Sequence, residues 1–291
     1  MAILIRTIGR FFALFPGRGI WFNSWFLYLL AYFMFGYRKR VVKENLLMAF
    51  PEKSEDELKN IEKKFYFRFC KTLAELLITP YISEKYLYEK AVLKESERGD
   101  YLEGTQSQRG GIMLTGHFFN WEWAGLRVGM VSKKPFYVVY LPLKSQSFDA
   151  YFRDLRGKFG NIPVKMRHIF RALTENHDQK PVACFLADQS PPRGRAVNYH
   201  DFFGRRVPFY NGAVKMAKKL DLPLLFGYPE YKNDGTYTVK IEVLAQYPAQ
   251  FNDEELLELY VRKLEETIRF DPANWLWSHR RWKHAKKEGE I

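Results

Sequence analysis

The stretch that indicates the fold of this chain reads Thr115-Gly116-His117-Phe118-Phe119-Asn120-Trp121-Glu122-Trp123. A short apolar run at residues 112–114 precedes it, and residues 121–130 have the pattern of a helix. A buried strand that passes through a glycine turn into a helix is typical of α/β folds. We therefore expect His117 at the carboxyl end of a strand, the edge of an open α/β sheet where ligands bind.

His117 and Glu122 have the chemistry of a general base and an acid that orients it. Asn120 is suited to cap the helix, which places Glu122 in its first turn. From there the carboxylate can accept a hydrogen bond from one imidazole nitrogen of His117. The other nitrogen is then available to remove a proton from a hydroxyl group. The same spacing also occurs by chance, when a strand-end histidine is followed by a solvated helix acid. Other features of the chain are therefore needed to distinguish a catalytic pair from this structural alternative.

The composition permits one large domain with an appendage at a terminus. Of the 291 residues, 47% are apolar and 17% aromatic, enough for a large core and for aromatic side chains at a lipid interface. The net charge of +13 favours anionic partners such as a membrane, a nucleic acid or an acidic protein. Cys70 and Cys184 are far apart and have no metal-binding spacing, so we expect two reduced, buried thiols and no metal site.

Residues 1–37 are strongly apolar and predict attachment to a membrane. The run from 20 to 37 is about long enough for a spanning helix, which takes roughly 17–25 residues. The alternative is a pair of interfacial helices separated at Pro16-Gly17. No small-residue cleavage site follows the run, so we do not interpret it as a removed signal peptide. We predict a membrane anchor over residues 1–40 and a single α/β domain over 41–291.

The remainder of the chain alternates between strand and helix patterns. A capping box of Ser54 and Glu57 predicts a helix that ends near Leu77, and Asn252 with Glu255 predicts another. The predicted strands are 112–115, 137–140, 182–187, 224–228 and 237–243. The predicted helices after the first are 121–130, 146–159, 168–176, 212–220 and 253–269, and the last of these is the helix that Asn252 and Glu255 begin. This order predicts a mixed, mostly parallel sheet flanked by helices, with a membrane-associated helix at the amino terminus.

Two further acidic or aromatic features are given structural interpretations. Glu75, in the apolar last part of the first long helix, could be functional, but we interpret it as an acid on the helix surface. The block from Trp275 to Lys283 places indole rings beside cations, which is typical of a membrane–water boundary. His279 within this block is a candidate second base, but it has no evident partner in the sequence, and we assign it a structural role.

Cations and one acid provide the other candidate site residues. Arg153 and Arg156 lie in one predicted helix, where a guanidinium group could bind an anion or hold a catalytic acid, although a solvated basic face is the plainer interpretation. Asp188 and Gln189 follow an apolar strand, the position at which α/β enzymes keep reactive groups; a turn acid is the alternative. Arg193 begins a basic loop after them.

Four blocks, in this order along the chain, resemble the bacterial lipid A late acyltransferases, a branch of the lysophospholipid acyltransferase superfamily. They are Gly116–Glu122, Asp188-Gln189 with Arg193-Gly194, Phe202-Phe203-Gly204, and Trp277–Lys283. The superfamily is marked by a histidine and an acid separated by four residues. The resemblance implies an enzyme at the cytoplasmic face of the bacterial inner membrane. It would transfer a fatty acyl chain from acyl carrier protein to a hydroxyl of a lipid A precursor, without a cofactor or metal.

The resemblance also assigns residues by position. It implies that His117 is the base and Glu122 its orienting partner. It implies an arginine and an aspartate in the site as well; Arg156 is the better match for the first, Arg153 is its rival, and Asp188 matches the second. The remaining candidates for substrate binding are Asn120, Gln189 and Arg193.

The implied partners are acyl carrier protein, a lipid A precursor or related glycolipid, and anionic membrane lipid. An acidic carrier and a phosphorylated lipid both suit the charge of +13. A lysophospholipid or an aminolipid is the alternative acceptor. From another class of function, the alternative is a membrane-tethered lipid-binding protein with an inactive site. Basic and aromatic residues are also interleaved in nucleic-acid binders, but the apolar amino terminus favours lipid, and we expect no nucleic acid.

Overall fold

The computed structural model describes residues 2–14, 17–93, 109–192 and 197–286. In these residues the α-helices are α1 (Ala2–Ala13), α2 (Arg18–Tyr28), α3 (Lys39–Ala49), α4 (Glu55–Ile78), α5 (Glu84–Lys90), α6 (Trp121–Val131), α7 (Gln146–Gly157), α8 (Ile169–Glu175), α9 (Gly212–Leu220) and α10 (Asp253–Phe270). The strands are β1 (Ala91–Val92), β2 (Gly111–Thr115), β3 (Phe136–Tyr140), β4 (Ile162–Lys165), β5 (Val182–Leu186), β6 (Val197–Phe202), β7 (Arg205–Tyr210), β8 (Leu224–Tyr231) and β9 (Tyr237–Ala245).

Seven of these strands form one sheet in the order β1-β9-β8-β2-β5-β3-β4. The pairs from β8 through β2, β5 and β3 to β4 are all parallel. Strand β9 is antiparallel to β8, and β1 is parallel to β9. This arrangement confirms the predicted mixed, mostly parallel sheet with flanking helices.

The sheet separates two apolar cores, as expected for a sheet covered on both faces. In β2, Ile112 and Leu114 face one core and Met113 faces the other, because successive strand side chains point to opposite faces. Helix α6 covers the Met113 side with Trp123 and Leu126. The carboxyl end of β2 therefore leads directly into the turn that begins α6.

All five predicted strands are present, and β1, β4, β6 and β7 were not predicted. Strand β1 has two residues, and β4 is a partly exposed strand at the edge of the sheet. Strands β6 and β7 form a separate antiparallel hairpin. Its turn is made by Phe203 and Gly204, both with positive φ (52° and 69°), the backbone of a two-residue hairpin turn. The alternation of apolar and polar residues is too short or too weak in these segments to predict them.

Both predicted capping boxes are present. The Ser54 hydroxyl accepts from the backbone N–H of Glu57, whose carboxylate accepts in return from the N–H of Ser54 at 2.9 Å. Asn252 and Glu255 form the same exchange at the start of α10. Helix α4 runs to Ile78, close to its predicted end.

The amino-terminal helices pack against α4. Trp21 and Trp25 of α2 contact the ring of Phe67, and α2 continues as one π-helical segment, Leu29–Met34. Of the helices in the described parts of the chain, none combines the length and the apolar character needed to cross a bilayer. Between residues 22 and 35, in α2 and the π-helical segment that follows it, large apolar side chains are nevertheless exposed to solvent. They are Phe22, Trp25, Phe26, Leu29, Phe33, Met34 and Phe35.

The carboxyl-terminal indole rings belong to the core, so their assignment to a membrane boundary was wrong. Trp275, Trp277 and Trp282 are at most 7% exposed. Asn45 of α3 donates hydrogen bonds to the backbone carbonyls of Trp277 (2.6 Å) and His279 (2.7 Å). Indole rings bury a large area with few rotatable bonds. Here the buried rings and the Asn45 hydrogen bonds connect residues 275–282 with α3.

Candidate active site

The sheet brings His117 and Asp188 together. Strands β2 and β5 are parallel neighbours in which Thr115 lies opposite Leu186. His117 and Asp188 each follow that pair of residues by two positions, so both lie at the same carboxyl edge of the sheet. The His117 ring nitrogen Nδ1 is 2.6 Å from the Asp188 oxygen Oδ1.

Asp188 is buried and fully occupied by donors. Its oxygen Oδ2 accepts from the backbone N–H of His117 at 2.8 Å and from the indole N–H of Trp275 at 2.7 Å. Burial alone would raise the pKa of Asp188, but the His117 ring and these two donors outweigh it, and the pKa is lowered. Asp188 is therefore an ionised carboxylate at neutral pH.

The carboxylate determines which nitrogen of His117 carries the proton. A carboxylate can only accept, so Nδ1 is the donor and Nε2 of the neutral ring is an acceptor. Nε2 lies 3.2 Å from the side-chain amide nitrogen of Gln189. The His117 side chain is 14% exposed, and its ring packs edge-on against Trp121. This is the tautomer that a general base needs.

Glu122 binds Arg156, and the predicted hydrogen bond between Glu122 and His117 is not made. Arg156 donates from Nε to both Glu122 oxygens (3.0 and 3.1 Å) and from a terminal nitrogen to Oε1 (2.6 Å). From the first turn of α6, the Glu122 side chain extends toward the end of α7, where the planar guanidinium matches its two oxygens. Burial lowers the pKa of Arg156, but Glu122 outweighs this effect and the pKa is raised.

The structure distinguishes the two candidate arginines. Tyr151 and Leu155 form the buried side of α7, and Arg156 lies next to it with its guanidinium on Glu122. Arg153 lies on the opposite side of α7 and is exposed, with a terminal guanidinium nitrogen 3.8 Å from Oδ1 of Asp154. At about 100° per residue, only Arg156 can reach the site from this helix.

The other three predicted substrate-binding residues, Asn120, Gln189 and Arg193, lie in different surroundings. Asn120 is fully buried and caps α6: its side-chain oxygen accepts from the N–H groups of Glu122 and Trp123, both at 3.1 Å. This confirms the predicted cap and directs the side chain into the protein. The side-chain amide nitrogen of Gln189 lies 3.2 Å from Nε2 of His117, the ring nitrogen that does not contact Asp188. Arg193 lies outside the described residues.

Two carboxyl-terminal residues hold the loop that carries Asp188. His279 accepts the backbone N–H of Ser190 through Nε2 at 3.1 Å, and burial lowers its pKa to about 4. Arg281 is fully buried: its backbone carbonyl accepts from the Ser190 hydroxyl, and its side chain donates to the carbonyl of Pro208 at 3.0 Å. Its guanidinium lies 4.0 Å from the centroid of the Phe209 ring, and burial lowers its pKa to about 10. The structural role predicted for His279 agrees with these contacts.

Sequence reasoning missed Trp275 as a partner of Asp188. The two residues are 87 positions apart, and the indole was assigned to a membrane boundary. The backbone of the same segment also supports the turn after β2, because the N–H of Phe119 donates to the carbonyl of Asn274 at 3.1 Å. A buried indole nitrogen needs an acceptor, but nothing in the sequence shows which tryptophan is buried.

Two small apolar cavities lie between α6 and the sheet, with volumes of about 40 and 30 Å³. They share Thr115, Trp121, Gly125 and Cys184, and Glu122 and Arg156 close one end of the larger cavity. Burial raises the pKa of Cys184 to about 12, so this thiol is protonated and is not a nucleophile. Within the described ranges, no group of three His, Cys, Asp or Glu side chains could hold a metal ion.

The fold and the site together define a class of protein. A buried aspartate and a histidine with one accepting nitrogen, both at strand ends in an α/β sheet, form an arrangement that can activate a hydroxyl group. The chain belongs to the bacterial lipid A biosynthesis acyltransferase family, whose model matches residues 8–284. It is therefore an acyltransferase of lipid A, and so of lipopolysaccharide, biosynthesis. The comparison with curated proteins gave no match.

Proposed function

We propose that this enzyme transfers a fatty acyl chain from the thioester of acyl carrier protein to a hydroxyl of a lipid A precursor, with His117 as the general base. The observation that carries the proposal is the 2.6 Å contact of His117 Nδ1 with the buried Asp188, which leaves Nε2 to accept a proton. The family match supports the acyl transfer and the class of acceptor.

In the proposed step, Nε2 of His117 takes the proton of the acceptor hydroxyl while its oxygen attacks the thioester carbonyl. The carbon–sulfur bond breaks, an ester forms, and the imidazolium returns the proton to the departing thiolate. Asp188 stabilises the imidazolium and keeps Nδ1 protonated, as the acid of a serine hydrolase triad does. No cofactor takes part in these steps.

The Gln189 amide marks the position proposed for the acceptor hydroxyl. Its nitrogen lies 3.2 Å from Nε2 of His117, the distance at which a hydroxyl would donate. Gln189 is exposed, so the acceptor can displace it, and the amide can then donate to the substrate.

Glu122 has a different proposed role from the one that the sequence indicated. It holds Arg156 through Nε and one terminal nitrogen, so the other terminal nitrogen is not engaged by Glu122 and can donate to substrate. A guanidinium in this position would bind the developing oxyanion or a phosphate of the acceptor. Asp188, not Glu122, is then the residue that orients His117.

Residues 1–40 are proposed as an interfacial anchor. The row of exposed apolar side chains on α2 and the segment after it includes Phe22 (73% exposed), Phe33 (67%) and Phe35 (70%). Aromatic rings with this exposure favour the headgroup region of a membrane. The proposed location is the cytoplasmic face of the bacterial inner membrane, where the acidic carrier protein and anionic lipid would meet a chain of net charge +13.

The test is acyl transfer from labelled acyl carrier protein into membrane lipid extracts, with the wild type beside His117→Ala. Loss of a general base lowers the rate by about 10²–10⁴-fold. His177→Ala, at a histidine whose side chain is 80% exposed, is the matched control and should transfer normally. The expected product is a phosphorylated glucosamine lipid that carries one additional acyl chain.

Three outcomes would contradict parts of the proposal. Undiminished transfer by His117→Ala would exclude His117 as the base. Transfer into a lysophospholipid or an aminolipid, with His117 required, would keep the mechanism and replace the acceptor. Lipid binding by the wild type without transfer to any acceptor would favour a binding protein with an inactive site.

A further inference from the structure

A buried polar network lies behind the start of α6. It consists of Lys71 and Glu75 of α4, Tyr237 of β9 and Asn120, each at most 2% exposed. The assignment of Glu75 to the helix surface was therefore wrong. The acid is buried together with its neighbours Ala74 and Leu76.

Glu75 is the centre of this network. Its oxygen Oε1 forms a salt bridge with Lys71, and its oxygen Oε2 accepts from the Tyr237 hydroxyl at 2.6 Å. Lys71 also donates to the Tyr237 oxygen at 3.0 Å. Oε2 accepts in addition from the side-chain amide nitrogen of Asn120 at 3.3 Å. Of these contacts, the one with Asn120 leads to the active site.

The hydrogen bond from Asn120 to Glu75 determines the orientation of the Asn120 amide. Because the amide nitrogen donates to Glu75, the amide oxygen faces α6 and caps the N–H groups of Glu122 and Trp123. A second connection runs parallel to it: the Trp123 indole donates to the Thr79 hydroxyl at 2.8 Å. The end of α4 is thus joined to the first turn of α6.

We propose that Glu75 is a positioning residue for the acyltransfer site and acts through Asn120. It fixes the first turn of α6, and with it the placement of Glu122 and of the turn that carries His117. This inference rests on the proposed function of His117 and Glu122. Glu75 itself does not touch the reacting groups.

The energetics of buried ion pairs support a positioning role. Apolar residues of similar volume are often as stabilising as a buried ion pair, because desolvation of the two charges offsets their attraction. The network instead gives the Asn120 amide nitrogen a carboxylate acceptor on Glu75. Without that acceptor, the oxygen and nitrogen of the Asn120 amide could exchange places. A displacement of about 1 Å at a catalytic group can cost about 10² in rate.

A charge-conserving exchange of the two side chains tests this directly. Asn120→Asp alone places two carboxylates against each other. The double variant Glu75→Gln/Asn120→Asp restores one amide donor and one carboxylate acceptor, with the same total charge near Lys71. Glu258→Gln is the matched control, since it makes the same change at a carboxylate that contacts His200 in the β6–β7 hairpin at 2.7 Å.

Two readouts are needed: kcat and KM for acyl transfer, and hydrogen exchange of the Glu122 and Trp123 amides. We expect Asn120→Asp to lower kcat by about 100-fold with unchanged KM, and to accelerate exchange at both amides. The double variant should recover most of kcat and restore slow exchange. Glu258→Gln should change neither readout.

Additive losses in the double variant, or unchanged exchange in Asn120→Asp, would overturn the inference. Faster exchange with unchanged kcat would also overturn it, because the cap would then have no catalytic consequence. If Asn120→Asp does not fold, Glu75→Gln is compared with the double variant: a double variant that is less active or exchanges faster overturns the inference. If the wild type transfers no acyl chain, the proposed function fails, and the exchange data alone decide whether Glu75 positions α6.

Discussion

Replacement of Asp188 by asparagine should reverse the tautomer of His117. In the wild type, Oδ2 of Asp188 accepts two N–H groups, one from the His117 backbone and one from the Trp275 indole. The oxygen of an asparagine would take this position, because an NH₂ group there would face two donors. Its NH₂ group would then face Nδ1 of His117, which would have to accept. Nε2 would carry the proton and would no longer be a base.

The magnitude follows from the same change in hydrolases with a Ser-His-Asp triad. There the substitution preserves the geometry and lowers kcat by about 10⁴-fold. At 1.36 kcal/mol for each factor of ten, this corresponds to about 5.5 kcal/mol of transition-state stabilisation. We expect a similar loss for Asp188→Asn and little change in KM. Glu122→Gln keeps an oxygen for Arg156 and leaves the tautomer of His117 unchanged, so its loss should be at least about tenfold smaller.

The assay is single-turnover transfer from labelled acyl carrier protein, measured for both variants beside the wild type. Thermal unfolding of each variant checks that the fold is retained. A rate for Asp188→Asn within tenfold of the wild type would refute the tautomer argument. A larger loss in Glu122→Gln than in Asp188→Asn would support the assignment of Glu122 as the orienting acid that the sequence had indicated.

Two further predictions concern the membrane and pH. The double variant Phe22→Ser/Phe33→Ser should bind anionic vesicles several-fold more weakly in a sedimentation assay, with an unchanged unfolding temperature, because both rings are mostly exposed; equal binding would contradict the proposed anchor. Burial lowers the pKa of His279 from 6.5 to about 4, so between pH 4 and pH 6.5 this histidine is protonated in the unfolded chain and neutral in the folded one. The free energy of unfolding should therefore rise with pH from about 4 to 6.5 and then level off. His279→Gln should flatten this part of the profile relative to His177→Gln, and an unchanged slope would exclude His279 as its source.

Much of the fold could be predicted because its signals are local. Strands β2, β3 and β5 of the main sheet are short apolar runs, and both long capped helices begin at side chains that hydrogen-bond their own first turn. The hairpin of β6 and β7 was missed because its strands mix charged and aromatic residues without clear alternation. Burial was less predictable still, since indole rings such as Trp277 suit either a core or a membrane boundary.

The candidate site was predictable in its members but not in their pairing. His117, Asp188 and Glu122 were selected because each lies at a strand end or in the helix that follows one, and Arg156 was selected as the better match for the arginine of the family. Glu122 was assigned to His117 because the two are close in sequence. Asp188 is 71 residues away from His117, and only the adjacency of β2 and β5 shows that it is nearer.

The sequence by itself determined the family, the α/β class, the helix caps and the location of His117 and Asp188 at strand ends. These depend on local hydrogen bonding, on side-chain periodicity and on motifs in a characteristic order. Only the tertiary structure decided that Asp188 holds His117, that Arg156 holds Glu122 and that Glu75 is buried against Asn120. Strand order and helix packing bring those side chains together, and a hydrogen bond is made with the nearest suitable partner in space, whatever its distance along the chain.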